Sequence, residues 1–224
     1  MNTEFSRHGS FAQAVAFAAY AHDGQTRKGT ALPYMVHPME AAAIAATMTN
    51  DPDVLAAAVL HDVMEDCGVT EAELRSKFGK RIAMLVRFES EEKAQDAQAT
   101  WQKRKLRTIN RLRAASREQM ILTLSDKLSN LRAIHRDLER LGEALWQRFN
   151  QRNPSMHYWY YASIAESLTP ISQFDAYREY IALIDATFRD GPGRLQICKA
   201  GAAAAKPERD ASAGIPAETK TSGK

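Results

Sequence analysis

Residues 51–68 read DPDVLAAAVLHDVMEDCG, and the fold follows from how that stretch is parsed. Asp51-Pro52 is a helix start, because proline lacks the N–H that the first turn would leave unsatisfied and aspartate caps the N–H groups beyond it. Gly68 is a stop. The expectation is a helix over Asp53–Cys67. Its apolar run is broken by four ionisable residues, His61, Asp62, Glu65 and Asp66, and such groups inside an apolar helix are costly without partners.

Apolar residues recur at helical spacing on both sides of this segment, and no stretch alternates like a strand, so the expected class is all-α, a helical bundle. A first helix over Phe11 to about His22 is closed by Gly24. Gln25–Val36 reads as a polar, basic loop. His37-Pro38 then repeats the helix-start signal, with His37 as the N-cap and a helix over Met39 to about Thr49. Shorter helices are expected over Glu71–Phe78 and Arg81–Val86, followed by a charged loop over Glu89–Gln98. Helical periodicity reopens at Trp101. Ser116 with Gln119 forms a capping box for a helix through Ile121, Leu124, Leu128 and Leu131. Helices around Tyr158–Leu168 and Asp175–Arg189 complete a domain over residues 1–190. From Gly191 the Ala, Lys, Pro, Ser and Gly content is too poor in apolar surface to offset ordering, so 191–224 reads as a disordered tail.

The 224 residues are 45% hydrophobic and 25% charged, the composition of an ordinary globular chain. Lys and Arg number 30 against 27 acidic residues, a formal charge of +3, which argues against nucleic acid or a membrane surface as partner. No apolar run approaches a membrane span, and no secretory leader is evident, so a cytoplasmic location is expected. Two cysteines, Cys67 and Cys198, are too few for a disulfide framework.

Four apart on a helix, His61 neighbours Glu65 and Asp62 neighbours Asp66. Carboxylates packed so closely raise one another's pKa unless a cation or protons relieve them. One divalent cation on His61 and Asp62 is an economical answer, and it calls for further ligands elsewhere in the chain. His37 offers a second imidazole and Asp126 a carboxylate that interrupts an apolar helix register, with Asn130 on the same face. Two imidazoles and two carboxylates suit manganese or iron with room for water, leaving Glu65 and Asp66 to move protons. On spacing alone His37 reads equally as a helix cap and Asp126 as a surface charge. The pair His22-Asp23 reads as a helix end with no metal role.

Taken in order, Arg27-Lys28-Gly29, Pro33-Tyr34-Met35-Val36-His37-Pro38, His61-Asp62, Glu65-Asp66 and Leu124-Ser125-Asp126-Lys127-Leu128-Ser129-Asn130 resemble the small alarmone hydrolases, stand-alone relatives of the hydrolase half of RelA/SpoT enzymes. The resemblance reaches to about Leu168. It implies an HD-type bundle in which His37, His61, Asp62 and Asp126 hold one Mn²⁺. Glu65 and Asp66 would activate water against the 3′-pyrophosphate of ppGpp or pppGpp. Arg27, Lys28, Lys127 and Asn130 would line the nucleotide pocket, with Arg104, Lys105 and Lys93 as further phosphate contacts and Arg148 reaching in from a later helix. Arg87-Phe88-Glu89 departs from the family's more apolar segment, and Lys127 stands where the long enzymes carry Arg. With no synthetase domain, degradation of alarmone without synthesis is expected. Two alternatives are a different substrate for the same metal site, such as the 2′-phosphate of NADPH or another nucleotide, and a binding module that has lost catalysis. The sequence does not give the oligomeric state.

Overall fold

The computed structural model describes residues 5–91 and 100–188. Ten α-helices are present among them: α1 Phe5–Ala21, α2 Val36–Ala46, α3 Pro52–Leu60, α4 Val63–Asp66, α5 Glu71–Phe78, α6 Lys80–Glu89, α7 Trp101–Leu112, α8 Arg117–Leu141, α9 Pro154–Ser167 and α10 Asp175–Phe188. Short 3₁₀ turns at Gly142–Arg148 and Thr169–Ile171 complete the path. An isolated bridge between Thr26 and Pro33 pins the α1–α2 loop, and no strand occurs among the described residues. The architecture is therefore all-α. The segment 191–224, expected to be disordered, lies outside the described residues.

Helix α8 is the axis of the bundle. Ser116 Oγ accepts from Gln119 N while Gln119 Oε1 accepts from Ser116 N, which satisfies orphan N–H groups at its start. Its length carries Leu122, Leu124, Leu128 and Leu131 fully into the core, and α2, α3, α6 and α10 all pack on it. The close-set part of the bundle is alanine-rich. Ala14 and Ala18 of α1, Ala41 and Ala45 of α2, and Ala56, Ala57 and Ala58 of α3 are all completely buried. Side chains this short let helix axes approach closely. That proximity draws the start of α2 and the end of α3 against α8.

Three local expectations are corrected. The helix expected over Asp53–Cys67 starts as anticipated, with Asp51 accepting from Asp53 N at 3.0 Å, but it stops at Leu60. His61 and Asp62 form a turn before α4. The cause is His61 itself: its Nδ1 lies 2.8 Å from the Ala58 carbonyl, the acceptor that a continuing helix would offer to residue 62. Second, His37 is not an N-cap. Turn bonds from Val36 N to Pro33 O and from His37 N to Tyr34 O start α2 two residues earlier, at Val36 with Met35 as N-cap, so His37 sits within its first turn. Third, the charged loop expected over Glu89–Gln98 begins later. Glu89 is the last residue of α6, and both Glu89 and Ser90 are buried; 92–98, with Lys93, lies outside the described residues.

Asp51 also receives both guanidinium nitrogens of Arg81, at 2.9 and 2.6 Å, on a half-exposed surface. Asp51→Ala is expected to cost about 1 kcal/mol through the lost cap, the exposed ion pair adding little. Leu124→Ala, which empties space beneath the axis of the bundle, should cost about 2–5 kcal/mol. Urea unfolding monitored by circular dichroism measures both.

Candidate metal and nucleotide site

Four side chains from three places in the fold converge at the centre of the bundle. His37 comes from α2, His61 and Asp62 from the turn after α3, and Asp126 from the middle of α8. His37 Nε2 lies 3.2 Å from His61 Nε2, 3.2 Å from Asp126 Oδ1 and 3.5 Å from Asp62 Oδ2. His61 Nε2 lies 3.0 Å from Asp62 Oδ2 and 3.5 Å from Asp126 Oδ1. All but Asp62, which keeps slight exposure, are buried.

The far sides of the imidazoles determine what these atoms are. His61 Nδ1 faces a carbonyl oxygen, which can only accept, so Nδ1 carries the proton. His37 Nδ1 meets Ser129 Oγ at 2.7 Å, and that hydroxyl donates to Glu40 Oε2 at 2.8 Å, so Ser129 accepts from His37. In the neutral rings both Nε2 atoms therefore present lone pairs to each other and to two carboxylate oxygens. Four lone pairs at 3.0–3.5 Å repel unless positive charge lies among them. The donor set, nitrogen and oxygen with the outer ring nitrogens locked, fits a divalent cation of the manganese, iron or zinc type. Protons are the other way of neutralising it. Burial opposes charge on His61, but Asp62 and Asp126 outweigh it and hold the pKa well above the ordinary histidine value.

Around this centre lie the remaining expected residues. Glu65 on α4 accepts from Glu91 N at 3.3 Å, and burial, followed by the charges of Asp62 and Glu91, pushes its pKa up to about 7. Asp66 stands next to it in α4, its carbonyl receiving Gln25 Nε2 at 3.4 Å. Tyr34 donates to Asp62 Oδ2 at 2.7 Å; burial first, then Asp62 and Asp66, hold its pKa far above the ordinary phenol value, so it is a fixed donor. Lys127 is paired with Asp126 and with Glu89 Oε1 at 2.9 Å, and Asn130 Nδ2 also donates to Asp126. Arg27 reaches Asn130 Oδ1 at 2.9 Å across the face of Tyr34.

A cavity of about 790 Å³ begins at Tyr34, Lys127 and Asn130, the side chains that hydrogen-bond the two aspartates. Seven Arg and Lys residues line it, Arg27, Lys28 and Lys105 among them, and Trp101, Phe149, Tyr160 and Tyr161 supply aromatic wall. Lys105 lies over the Tyr160 ring and pairs with Glu91 at 2.8 Å. Arg104 also pairs with Glu91, at 2.7 Å, but lines a separate smaller cavity with Arg87, Arg107 and Arg111. Gly29 in the α1–α2 loop has φ +72°, and a Cβ there would meet Arg148 Nε at 2.7 Å. Only glycine lets that loop lie on Arg148.

A family model for the HD domain matches residues 14–155, well over half of the chain. The chain belongs to the HD domain family. The family implies a divalent metal, and the His/Asp cluster just described is a candidate site for it. A guanosine-3′,5′-bis(diphosphate) 3′-pyrophosphohydrolase of Vibrio cholerae is 47% identical over 74 residues, 33% of this chain and 10% of that protein. The chain thus spans about a tenth of that relative's length. The enzyme of the same name called MESH1 in Drosophila melanogaster is 32% identical over 125 residues, 54% of this chain and 68% of the fly protein. The crystal structure of lmo0812 from Listeria monocytogenes superposes with a TM-score of 0.61 at 28% identity, covering 69% of this chain and 99% of that one.

Sequence reasoning passed over Tyr34 as an aspartate partner, the Ser129–Glu40 relay behind His37, and Glu89 and Glu91, which anchor Lys127, Arg104 and Lys105. The acidic run was visible, but its burial was not. His22, expected to have no metal role, stacks on Tyr34 at 4.7 Å.

Mn²⁺ titrated calorimetrically into the HD domain should bind with release of protons, because ligation needs His61 neutral. Affinity should therefore fall as pH drops through the raised His61 pKa. Asp126→Ala and His61→Ala should each weaken binding by more than about 100-fold. Undiminished affinity in either variant would remove that residue from the ligand set.

Proposed function

We propose that this chain is a metal-dependent phosphohydrolase that removes pyrophosphate from the 3′ position of ppGpp or pppGpp, leaving GDP or GTP, with one Mn²⁺ held by His37, His61, Asp62 and Asp126. The observation that carries the reading is the juxtaposition of a buried His₂Asp₂ cluster with a cavity lined by seven cations. A polyanion is the natural occupant of such a cavity. The printed activity of the Vibrio and Drosophila relatives supports guanosine 3′,5′-bis(diphosphate) as that polyanion.

A bound divalent ion would supply Lewis acidity toward the phosphoryl group and toward water. The protein's own groups do the rest. Glu65, with a pKa of about 7, is poised to take a proton at neutral pH and to return it, and Asp66 beside it is the second proton-transfer group. Tyr34 and Asn130 orient Asp62 and Asp126. Lys127 offsets the carboxylate charge, and Arg27, Lys28 and Lys105 meet phosphate oxygens. Arg104 supports the site through Glu91, which it shares with Lys105.

Purified protein should release pyrophosphate from ppGpp with Mn²⁺ and not with EDTA, and Asp62→Ala should abolish the release. Glu65→Gln should keep Mn²⁺ affinity while kcat falls about 10²–10⁴-fold. As a base Glu65 works ionised, so the wild-type rate should rise with pH and level off above its pKa; a bound cation favours the ionised form and sets that limb at or below about pH 7. The limb should vanish in Glu65→Gln. Metal-loaded protein that spares ppGpp, or strongly prefers NADPH, overturns the substrate assignment.

A further inference from the structure

One residue in the cavity has the wrong charge for a polyanion site. Among the described residues lining it, Asp137 is the single carboxylate against seven Arg and Lys. It lies on α8 eleven residues beyond Asp126. Eleven residues bring a helix back to within about 20° of the same face, so Asn130, Ala133 and Asp137, which line the cavity, continue the stripe of α8 that starts at the buried Asp126, about 16 Å from end to end. The two ends differ in chemistry. At the Asp126 end lie the metal-binding cluster, Lys127 and Lys105. At the Asp137 end Ile134, Leu141, Leu145 and Phe149 supply an apolar wall, with Arg136, Arg140 and Arg148 beside it.

Asp137 Oδ2 accepts from Arg148 Nη1 at 3.2 Å, and its Oδ1 accepts no hydrogen bond from the described residues. The side chain is 17% exposed. An aspartate whose sole task was to hold Arg148 would need no opening to the cavity. From a 3′-phosphate through a ribose to the far edge of a purine is ~10–12 Å, which with a contact at each end matches the length of the stripe.

We infer that Asp137 is the residue that selects guanine, its carboxylate accepting from N1–H and the 2-amino group of a base seated against the Ile134–Phe149 wall. This rests on the nucleotide reading above and deepens it. Guanine presents two adjacent donors on that edge, which pair with one carboxylate. Adenine presents an amino donor beside the N1 lone pair, so a carboxylate gains one bond and meets a repulsion. The net charge of the surrounding cations favours any phosphorylated nucleoside equally, so the preference must come from groups that meet the base edge. Arg148 is then a positioning residue: it orients Asp137 from one side and carries the loop at Gly29 on the other.

The test is equilibrium dialysis of ppGpp and of its adenosine counterpart in EDTA, where binding is read without turnover. Wild-type protein should prefer the guanosine form by about 10–100-fold. Asp137→Asn should bring the two within about 3-fold, while Asp137→Glu should keep part of the preference. Arg148→Ala should weaken both nucleotides and lose part of the preference, less than Asp137→Asn loses. No preference in wild type, an undiminished preference in Asp137→Asn, or the same loss in Arg148→Ala as in Asp137→Asn would overturn the inference. Guanine-selective binding without Mn²⁺-dependent release of pyrophosphate would instead sink the proposed activity and leave the role of Asp137 standing.

Discussion

Everything in this molecule is arranged around one costly convergence: two imidazole nitrogens and two carboxylate oxygens held 3.0–3.5 Å apart, almost wholly out of water. No isolated segment would hold these groups together. The bundle does so by distributing the strain. The polyalanine faces of α1, α2 and α3 bring the two histidine-bearing termini together, the leucines of α8 fix Asp126 in depth, and each imidazole is pinned from behind by a carbonyl or a hydroxyl. The break in the helix at His61 belongs to the same arrangement, since the bond that orients the ring takes the place of one in the helix ladder.

A second layer of charge surrounds the cluster. Glu89, Lys127, Asp126, Asn130 and Arg27 form a connected series in which each ionised group has a partner of opposite charge or a neutral hydrogen-bond partner. Burying such groups singly would cost several kcal/mol each, and their pairing is what makes the burial tolerable. One consequence is that the carboxylates of the cluster and those of α4 sit in different environments. Asp126 is held ionised against its burial by Lys127 and the histidines, whereas Glu65 is left near neutrality. Residues of one chemical type thereby acquire different protonation behaviour from their surroundings.

The cavity extends this logic outward. Close to the aspartates its polar groups are tied into the cluster. Farther along α8 they are spaced by the helix repeat, so one rigid element sets the distance between the metal-binding end and Asp137. The loop bearing Arg27 and Lys28 is anchored at the Thr26–Pro33 bridge and at Gly29, which holds these two cations at the edge of the cavity.

The sequence by itself determined the helical class, most helix starts and stops, and the residues brought to the centre, because capping residues, proline, glycine and apolar periodicity act locally. Asp51-Pro52 and Ser116, read as helix starts, both cap helices in the structure. It also exposed His61, Asp62 and Asp126 as polar residues interrupting apolar registers. Tertiary structure decided the rest. That His37 joins the cluster from within a helix turn depends on Tyr34 and Pro33 closing the preceding turns. That His61 ends a helix depends on its ring finding Ala58. That Glu89 and Glu91 belong to the site depends on α7 and α8 folding over them with Lys127, Arg104 and Lys105. Periodicity reports which face of a helix is apolar; it carries no information about which distant charge will meet a buried carboxylate, because that distance is set by how the helices pack.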